Sequence, residues 1–410
     1  MRILYLTHRL PYAPNRGDRV RAFHVLKLLS SRADVDLVSL VHDREEATHV
    51  DDLRHMTATT TVVPAASRLR AFPRAMQTLP TSRPLTHVLL DAPTLDRSLQ
   101  DVFNRCRPDL VLAYCSGMAR FALERPLDDV PFVLDLVDVD SQKWTELAER
   151  SAGPLGWVYR REARHLGAFE ALAMTRAAAT TVVNQREADA ARALAPRANI
   201  QVIGNGVDLH ALRPPAGAAR EERVVFCGVM NYRPNEDGAI WLATRVWPLV
   251  LAHRPHARLT LVGSNPTTRL QSACRGNATI ELTGTVPDVR PFLWRSKLAV
   301  APLQVARGLQ NKVLEAFAAG LPVVATPAVA DGLPAAVRQA CSIAAAPEPF
   351  AAAICELLEL NDEERSAKVA LAAVEELDWT TSLMPLWSLL ERAARRDGAP
   401  CEQPCLGRIA

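Results

Sequence analysis

Lys312 and Glu315, three residues apart, carry the chemistry most plainly written in this chain. They lie in the stretch 298–326. It runs Leu-Ala-Val-Ala-Pro-Leu, later Arg307-Gly308-Leu309-Gln310-Asn311-Lys312, then Val313-Leu314-Glu315-Ala316-Phe317-Ala318-Ala319-Gly320, and ends Leu-Pro-Val-Val-Ala-Thr. A lysine in the first turn of a helix adds a full positive charge to N–H groups that lack intrahelical partners, a combination suited to a diphosphate. A carboxylate three residues later shares that helix face and suits the paired hydroxyls of a ribose. The spacing thus offers a place for both halves of a nucleotide diphosphate.

The elements that must position these residues can be read around them. The apolar run 298–302 has strand length, and the following loop holds Gly308, where backbone amides can turn toward a ligand. Asn311 reads as an N-cap, and Leu314, Phe317 and Ala318 recur at helical spacing. Gly320 and Pro322 end the helix before the β-branched run at 323–324.

This segment resembles the donor-site motif of family 4 glycosyltransferases. In that motif two glutamates eight residues apart precede an Ala-x-Ala-x-Gly-x-Pro-Val-Val run, and here Glu315 stands at the second glutamate and Arg307 at the first. The form Arg-Gly-Leu-Gln-Asn-Lys-Val-Leu-Glu-Ala is most similar to the sugar transferases associated with exosortase (PEP-CTERM) systems and exopolysaccharide assembly. The resemblance implies a retaining enzyme of the GT-B fold, an α/β architecture of two Rossmann-like domains facing across a cleft, with a C-terminal helix crossing back to the first domain. Arg307 replaces the residue that in the family touches the hydroxyls of the donor sugar, so the resemblance carries no sugar specificity.

A second strand-loop-helix runs Phe226-Cys227-Gly228-Val229-Met230-Asn231-Tyr232-Arg233-Pro234-Asn235. Gly228 would let the chain approach the diphosphate, Arg233 is the first choice for a second positive charge, and Asn235 reads as the N-cap. Thr283-Gly284-Thr285-Val286-Pro287-Asp288 resembles the loop bordering the nucleobase, which puts Val286 and Asp288 in the donor set; a turn with Asp288 as a helix cap explains it nearly as well. Donor binding is thus assigned to Gly17, Gly228, Val286, Asp288, Arg307, Gly308, Leu309, Gln310 and Asn311, with Lys312, Glu315 and Arg233 as the catalytic set.

In the first half, strand one runs into a loop with His8, Arg9, Arg16, Gly17, Asp18 and Arg19, at a ligand-facing position in doubly wound folds. A plain surface loop capped by Asp18 is the bland alternative. The sequence Asp135-Leu136-Val137-Asp138-Val139-Asp140 ends another strand; Asp140 reads as a helix N-cap, and Asp135 or Asp138 as a cleft carboxylate toward the acceptor. Asp138-Val139-Asp140 also matches a metal-binding Asp-x-Asp pattern, but Asp34-Val35-Asp36 matches equally well, and metal is the minority reading. Many family members carry a histidine after the fourth strand, where this chain has Tyr114-Cys115-Ser116-Gly117; Ser116 is an acceptor-side candidate beside Asp18, Asp135 and Asp138, and packing or a helix cap serves it as well.

Composition narrows the classes. The 410 residues are 49% hydrophobic, enough for two cores, and a net charge of +3 excludes an electrostatic case for nucleic acid. Eight cysteines form neither a Cys-x-x-Cys pair nor a metal-type cluster, which fits reduced thiols in a cytoplasmic protein. Residues 1–7 read as a buried strand, too short for a signal peptide, and no run has the length of a membrane span. Membrane contact is therefore expected to be peripheral. The segment 67–86, alternating arginine with Leu69, Phe72, Met76, Leu79 and Leu85, is either a membrane-resting surface or a solvated helical hairpin.

Strands are expected at 3–7, 35–40, 61–63, 110–113, 132–136, 180–183 and 200–203, and then at 224–227, 259–262, 280–282, 298–301 and 323–325. A long helix at about 141–178 should break near Gly153-Pro154. The expected division is an acceptor domain at 1–205 with a returning helix at about 380–396, a donor domain at 206–379, and a disordered tail at 397–410. The function expected is metal-independent, cofactor-free hexosyl transfer (EC 2.4) from a nucleotide sugar to a lipid-linked glycan. The alternatives are a nucleotide-sugar 2-epimerase or a non-catalytic nucleotide-sugar scaffold.

Overall fold

The computed structural model describes residues 1–12, 17–66, 68–92, 94–306 and 308–395. Two compact units emerge, one comprising Met1–Thr181, Ala190–Gln201 and Met384–Ala410, the other Val182–Asp189 and Val202–Leu383.

The first unit is built on a seven-stranded sheet: β1 (Arg2–Thr7), β2 (Asp34–Val41), β3 (Thr59–Pro64), β4 (Leu110–Tyr114), β5 (Phe132–Val137), β6 (Ala179–Val182) and β7 (Ile200–Val202). Their order is β3-β2-β1-β4-β5-β6-β7, and Ile3 pairs with Val35 on one side and Leu110 on the other, both in parallel. The central strands are buried on both faces, which is why they read as continuous apolar runs.

Polar groups inside this unit are matched to each other. Arg21 and Asp135, both essentially buried, form a two-pronged ion pair at 2.9 and 3.0 Å, and the Thr181 hydroxyl donates to the same carboxylate at 2.8 Å. Glu46, fully buried, accepts Arg9 at 2.7 Å and Arg19 at 2.6 Å. The long helix breaks where expected, into Asp140–Glu149 and Gly153–Arg176, with Gly153 at φ +65 in the turn.

The second unit holds a six-stranded sheet: β8 (Arg223–Cys227), β9 (Arg258–Val262), β10 (Ile280–Leu282), β11 (Leu298–Ala301), β12 (Val323–Ala325) and β13 (Ser342–Ile343). The order is β10-β9-β8-β11-β12-β13, again parallel. β13 is two residues long and too short to show a pattern, so sequence reading passed over it. Helices cover both sheets, and the architecture is the α/β, twice Rossmann-like one expected.

Helix starts differ in detail. Asp140 is the first helical residue after a Val139 cap, and Asn311 is the first helical residue after a Gln310 cap whose side chain does not cap the helix. The last helix runs Trp379–Ala394, with Asp378 Oδ1 accepting from the Thr380 amide. The tail expected at 397–410 lies outside the described residues.

Candidate functional site

In the second sheet the strand order reverses between β8 and β11, and loops leaving the carboxyl ends of two such strands make the crevice where doubly wound folds bind ligands. The helix Asn311–Ala318 follows β11 and the helix Arg233–Trp241 follows β8. The side chains that meet there are Lys312 from one and Asn235 from the other, with Lys312 Nζ donating to Asn235 Oδ1 at 2.7 Å. The ammonium also lies 4.7 Å from the centre of the buried Phe226 ring.

Both Lys312 and Glu315 keep some solvent exposure, yet protein surrounds their charged ends densely. Desolvation lowers the Lys312 pKa from 10.5 to about 8, against the nearby Glu315 charge that favours the ammonium. Burial likewise raises the Glu315 carboxyl above its ordinary value, with Lys312 pulling the other way. Cys227, at the end of β8, is pushed by burial up to about 12 and stays a thiol.

Asn235 is held by backbone. Its Nδ2 donates to the Val229 carbonyl at 3.0 Å, and Gly228 lies so close that a Cβ there would come within 2.8 Å of that nitrogen. Asn235 is therefore no N-cap, since Tyr232 holds that position; it is a buried clamp inside the first turn. What Gly228 visibly accommodates is Asn235. Gly263, at the end of β9, accommodates the loop itself, since a Cβ on it would fall 1.6 Å from the Gly228 carbonyl oxygen.

The loop before Lys312 is equally fixed. Gly308 sits at φ +62, and its carbonyl packs against Gly332, where a Cβ would meet it at 2.4 Å. Asn311 accepts a 2.9 Å hydrogen bond from Asn205 Nδ2. Asn205 falls at the expected boundary between the two domains, and nothing in the sequence around it signals that it braces the lysine-bearing helix. Leu309 and Gln310 complete the turn, and Leu309 packs against the core. Among the described residues no hydrogen bond or ion pair engages the Glu315 carboxylate.

Other expected residues lie differently. Arg233 starts its helix with its side chain 87% exposed and pairs with Asp237 at 3.5 Å. Asp288 accepts from the amide and guanidinium of Arg290, whose hydrogen bonds hold its carboxyl below the usual range, and Val286 packs against the core. Arg307 and Arg16 lie outside the described residues, and so does the Asp18 side chain, while Gly17 opens the helix Gly17–Ser30.

In the first unit the reading needs correction. Asp135 is no cleft carboxylate, because Arg21 and Thr181 consume it in the core. Ser116 is fully buried and donates to Asp140 Oδ2 at 3.1 Å. Arg9 and Arg19 neutralise Glu46 and are not gathered for phosphate. Asp138 is the acceptor-side candidate that keeps capacity: Lys143 stands 3.6 Å away, and its Oδ1 is buried without a hydrogen-bond partner. Lys143 also bonds Asp140 at 2.8 Å, so the Asp-x-Asp pair already has a counter-ion, and no group of three metal-type ligands occurs among the described residues. His8 stacks on Tyr114 at 5.8 Å, with Cys115 Sγ 3.3 Å from its Nδ1, at the β1/β4 reversal of this sheet.

Two doubly wound parallel sheets, one with a lysine and a carboxylate at its switch point, define a nucleotide-handling α/β enzyme of the GT-B kind. Solved structures agree in fold. Sucrose-phosphate synthase from Thermosynechococcus elongatus superposes with a TM-score of 0.71 at 16% identity, over 96% of this chain and 99% of that one. HepE of Anabaena, solved in complex with UDP and glucose, gives 0.65 at 15% identity over 96% and 100%. A glycosyltransferase from Rickettsia africae gives 0.63 at 10% identity over 96% and 99%. Residues 221–360, which hold Asn235, Lys312 and Glu315, match the family model described as Glycosyl transferases group 1. The chain thus carries a group 1 glycosyltransferase segment over residues 221–360, and the activity that segment supports is glycosyl transfer from a nucleotide sugar. No curated protein matches it in sequence.

Proposed function

We propose that the chain transfers a sugar with retention from a nucleotide diphosphate sugar to a lipid-linked glycan, in surface glycan or exopolysaccharide assembly at the cytoplasmic face of a membrane. The observation that carries the donor half is Lys312, desolvated and aimed by Asn235, with the uncommitted carboxylate of Glu315 one turn on. Lys312 and the first-turn amides of its helix take the diphosphate, and Glu315 takes the ribose hydroxyls. As the nucleotide leaves, negative charge grows on its phosphate, and donors fixed beforehand stabilise that charge most. The leaving phosphate oxygen takes the acceptor proton on the same face, so the step uses no protein nucleophile and no metal. The division of labour is an acceptor side on residues 1–205 with the helix 380–396, and a donor side on residues 206–379.

Thermal-shift titration of the purified chain with nucleotide sugars, with and without magnesium, tests this reading. UDP-glucose is the first probe, because HepE was solved with it. A stabilising shift retained in a chelator and lost in Lys312→Ala and Glu315→Ala is expected. Wild-type shifts in both variants refute the site. Isomerisation of the donor without an acceptor would instead identify an epimerase.

A further inference from the structure

We propose that the tip of the helical hairpin formed by Asp140–Glu149 and Gly153–Arg176 seats the first unit on an anionic lipid bilayer. Between Arg150 and the pair Arg160-Arg161 the chain has an uncharged run, Ser-Ala-Gly-Pro-Leu-Gly-Trp-Val-Tyr at 151–159. Leu155 is 54% exposed, Trp157 52% and, on the facing helix, Leu147 43%. Three large apolar side chains exposed in the segments that flank one inter-helix turn differ from the single exposed ones scattered over an ordinary surface. A tryptophan with a wet edge suits the boundary between headgroups and acyl chains.

The tip is preformed. Gly153 takes φ +65 in the turn, and Gly156 approaches the Ser151 carbonyl so closely that a Cβ would lie 2.3 Å from it. The rings of Trp144 and Tyr159 meet across the two helices, tilted at 44° with centroids 5.6 Å apart. Below the tip Arg161 and Glu162 are buried and hold the loop after the Arg68–Thr78 helix: Arg161 donates to the carbonyls of Thr78, Leu79, Thr81 and Arg83, and Glu162 accepts from the amides of Leu85 and Thr86. The apolar tip therefore stands on an anchored base.

Charge selects the partner. Arg150, Arg160 and Arg164 are exposed around the tip, and Glu149 is the acid that shares a pocket with Arg160 and Arg164. An apolar wedge ringed by excess arginine matches a surface with phosphate headgroups over hydrocarbon. No helix among the described residues is long and apolar enough to cross a membrane, so the contact is a resting one. The inference bears on the acceptor half of the proposed function, but its test uses neither donor nor transfer, so failure here leaves the donor site standing.

The test is co-sedimentation of the full chain with phosphatidylcholine vesicles, with or without about 30% phosphatidylglycerol, at roughly 0.1 M salt. Binding to the anionic vesicles is expected. Leu155→Ser with Trp157→Ser should weaken it at least about tenfold. Arg150→Gln with Arg160→Gln should cost about fivefold per arginine and abolish the preference for anionic lipid. Leu172→Ser, at an equally exposed leucine along the same helix, should change nothing. Circular dichroism melts show whether each variant folds. Absence of wild-type binding, or equal binding by the folded double serine variant, overturns the proposal. So does a wild-type dimer that the serine variant splits, because the tip would then be covered by a second copy.

Discussion

Asn235 Oδ1 accepts the Lys312 ammonium at 2.7 Å although the two residues are 77 positions apart and follow different strands. A neutral partner aims the lysine without cancelling its charge. A carboxylate in the same place would aim it equally well and leave nothing for a diphosphate.

Asn235→Asp is nearly the same shape and should weaken UDP binding by at least about tenfold, since a charge-assisted contact is worth roughly 1.5–3 kcal/mol. Calorimetric titration measures it. Unchanged affinity would mean that the ammonium serves only the fold.

Lys312→Met should lower the transfer rate by about 10²–10³, the scale for losing one preorganised donor. The unliganded protein should melt no lower than wild type, because the lysine is held in its charged form against desolvation. Glu315→Gln should weaken UDP yet spare inorganic pyrophosphate, whereas Lys312→Met should weaken both.

Donor affinity should fall as pH rises through about 8, where Lys312 loses its proton. For stability the sign is opposite. The folded pKa lies below the unfolded 10.5, so between about 8 and 10.5 the unfolded chain binds more protons, and this group's contribution to stability rises with pH. Binding titrations and melts across pH 7–10 should show both trends in wild type, and neither in Lys312→Met.

Asp135→Ala should destabilise the first unit by about 3–5 kcal/mol by removing the carboxylate that the buried Arg21 guanidinium pairs with. UDP affinity should not change, because the carboxylate belongs to a core. A loss of activity with unchanged melting would restore its reading as a cleft carboxylate toward the acceptor.

Gly228→Ala should leave a folded protein with weak donor binding, since the added methyl meets the Asn235 side chain and pushes it off Val229 and Lys312 without touching backbone. Gly263→Ala should unfold the second unit, because its methyl meets backbone. Melting temperatures and titrations separate the two outcomes.

The architecture was legible because central parallel strands are buried on both faces and read as apolar runs; β1 and β11 are obvious in any window. Lys312 and Glu315 were legible because a local motif places both on one helix. Asn235 was misread as a cap, since its true partner lies far along the chain. Asp135 was misread because a strand-end carboxylate looks the same whether it faces a ligand or a buried arginine; only packing shows Arg21. Asn205 gave no signal, because a side-chain amide bracing another has no spacing rule.

The Arg161 guanidinium at the centre of four backbone carbonyls has a consequence for the life of the chain. The stretch 79–83 has exposed side chains, including Arg83, but a protease needs an extended strand in its cleft, and this backbone is tied down inside the turn. Proteinase K should therefore spare this stretch in the native protein, and Arg161→Ala should open it to cutting.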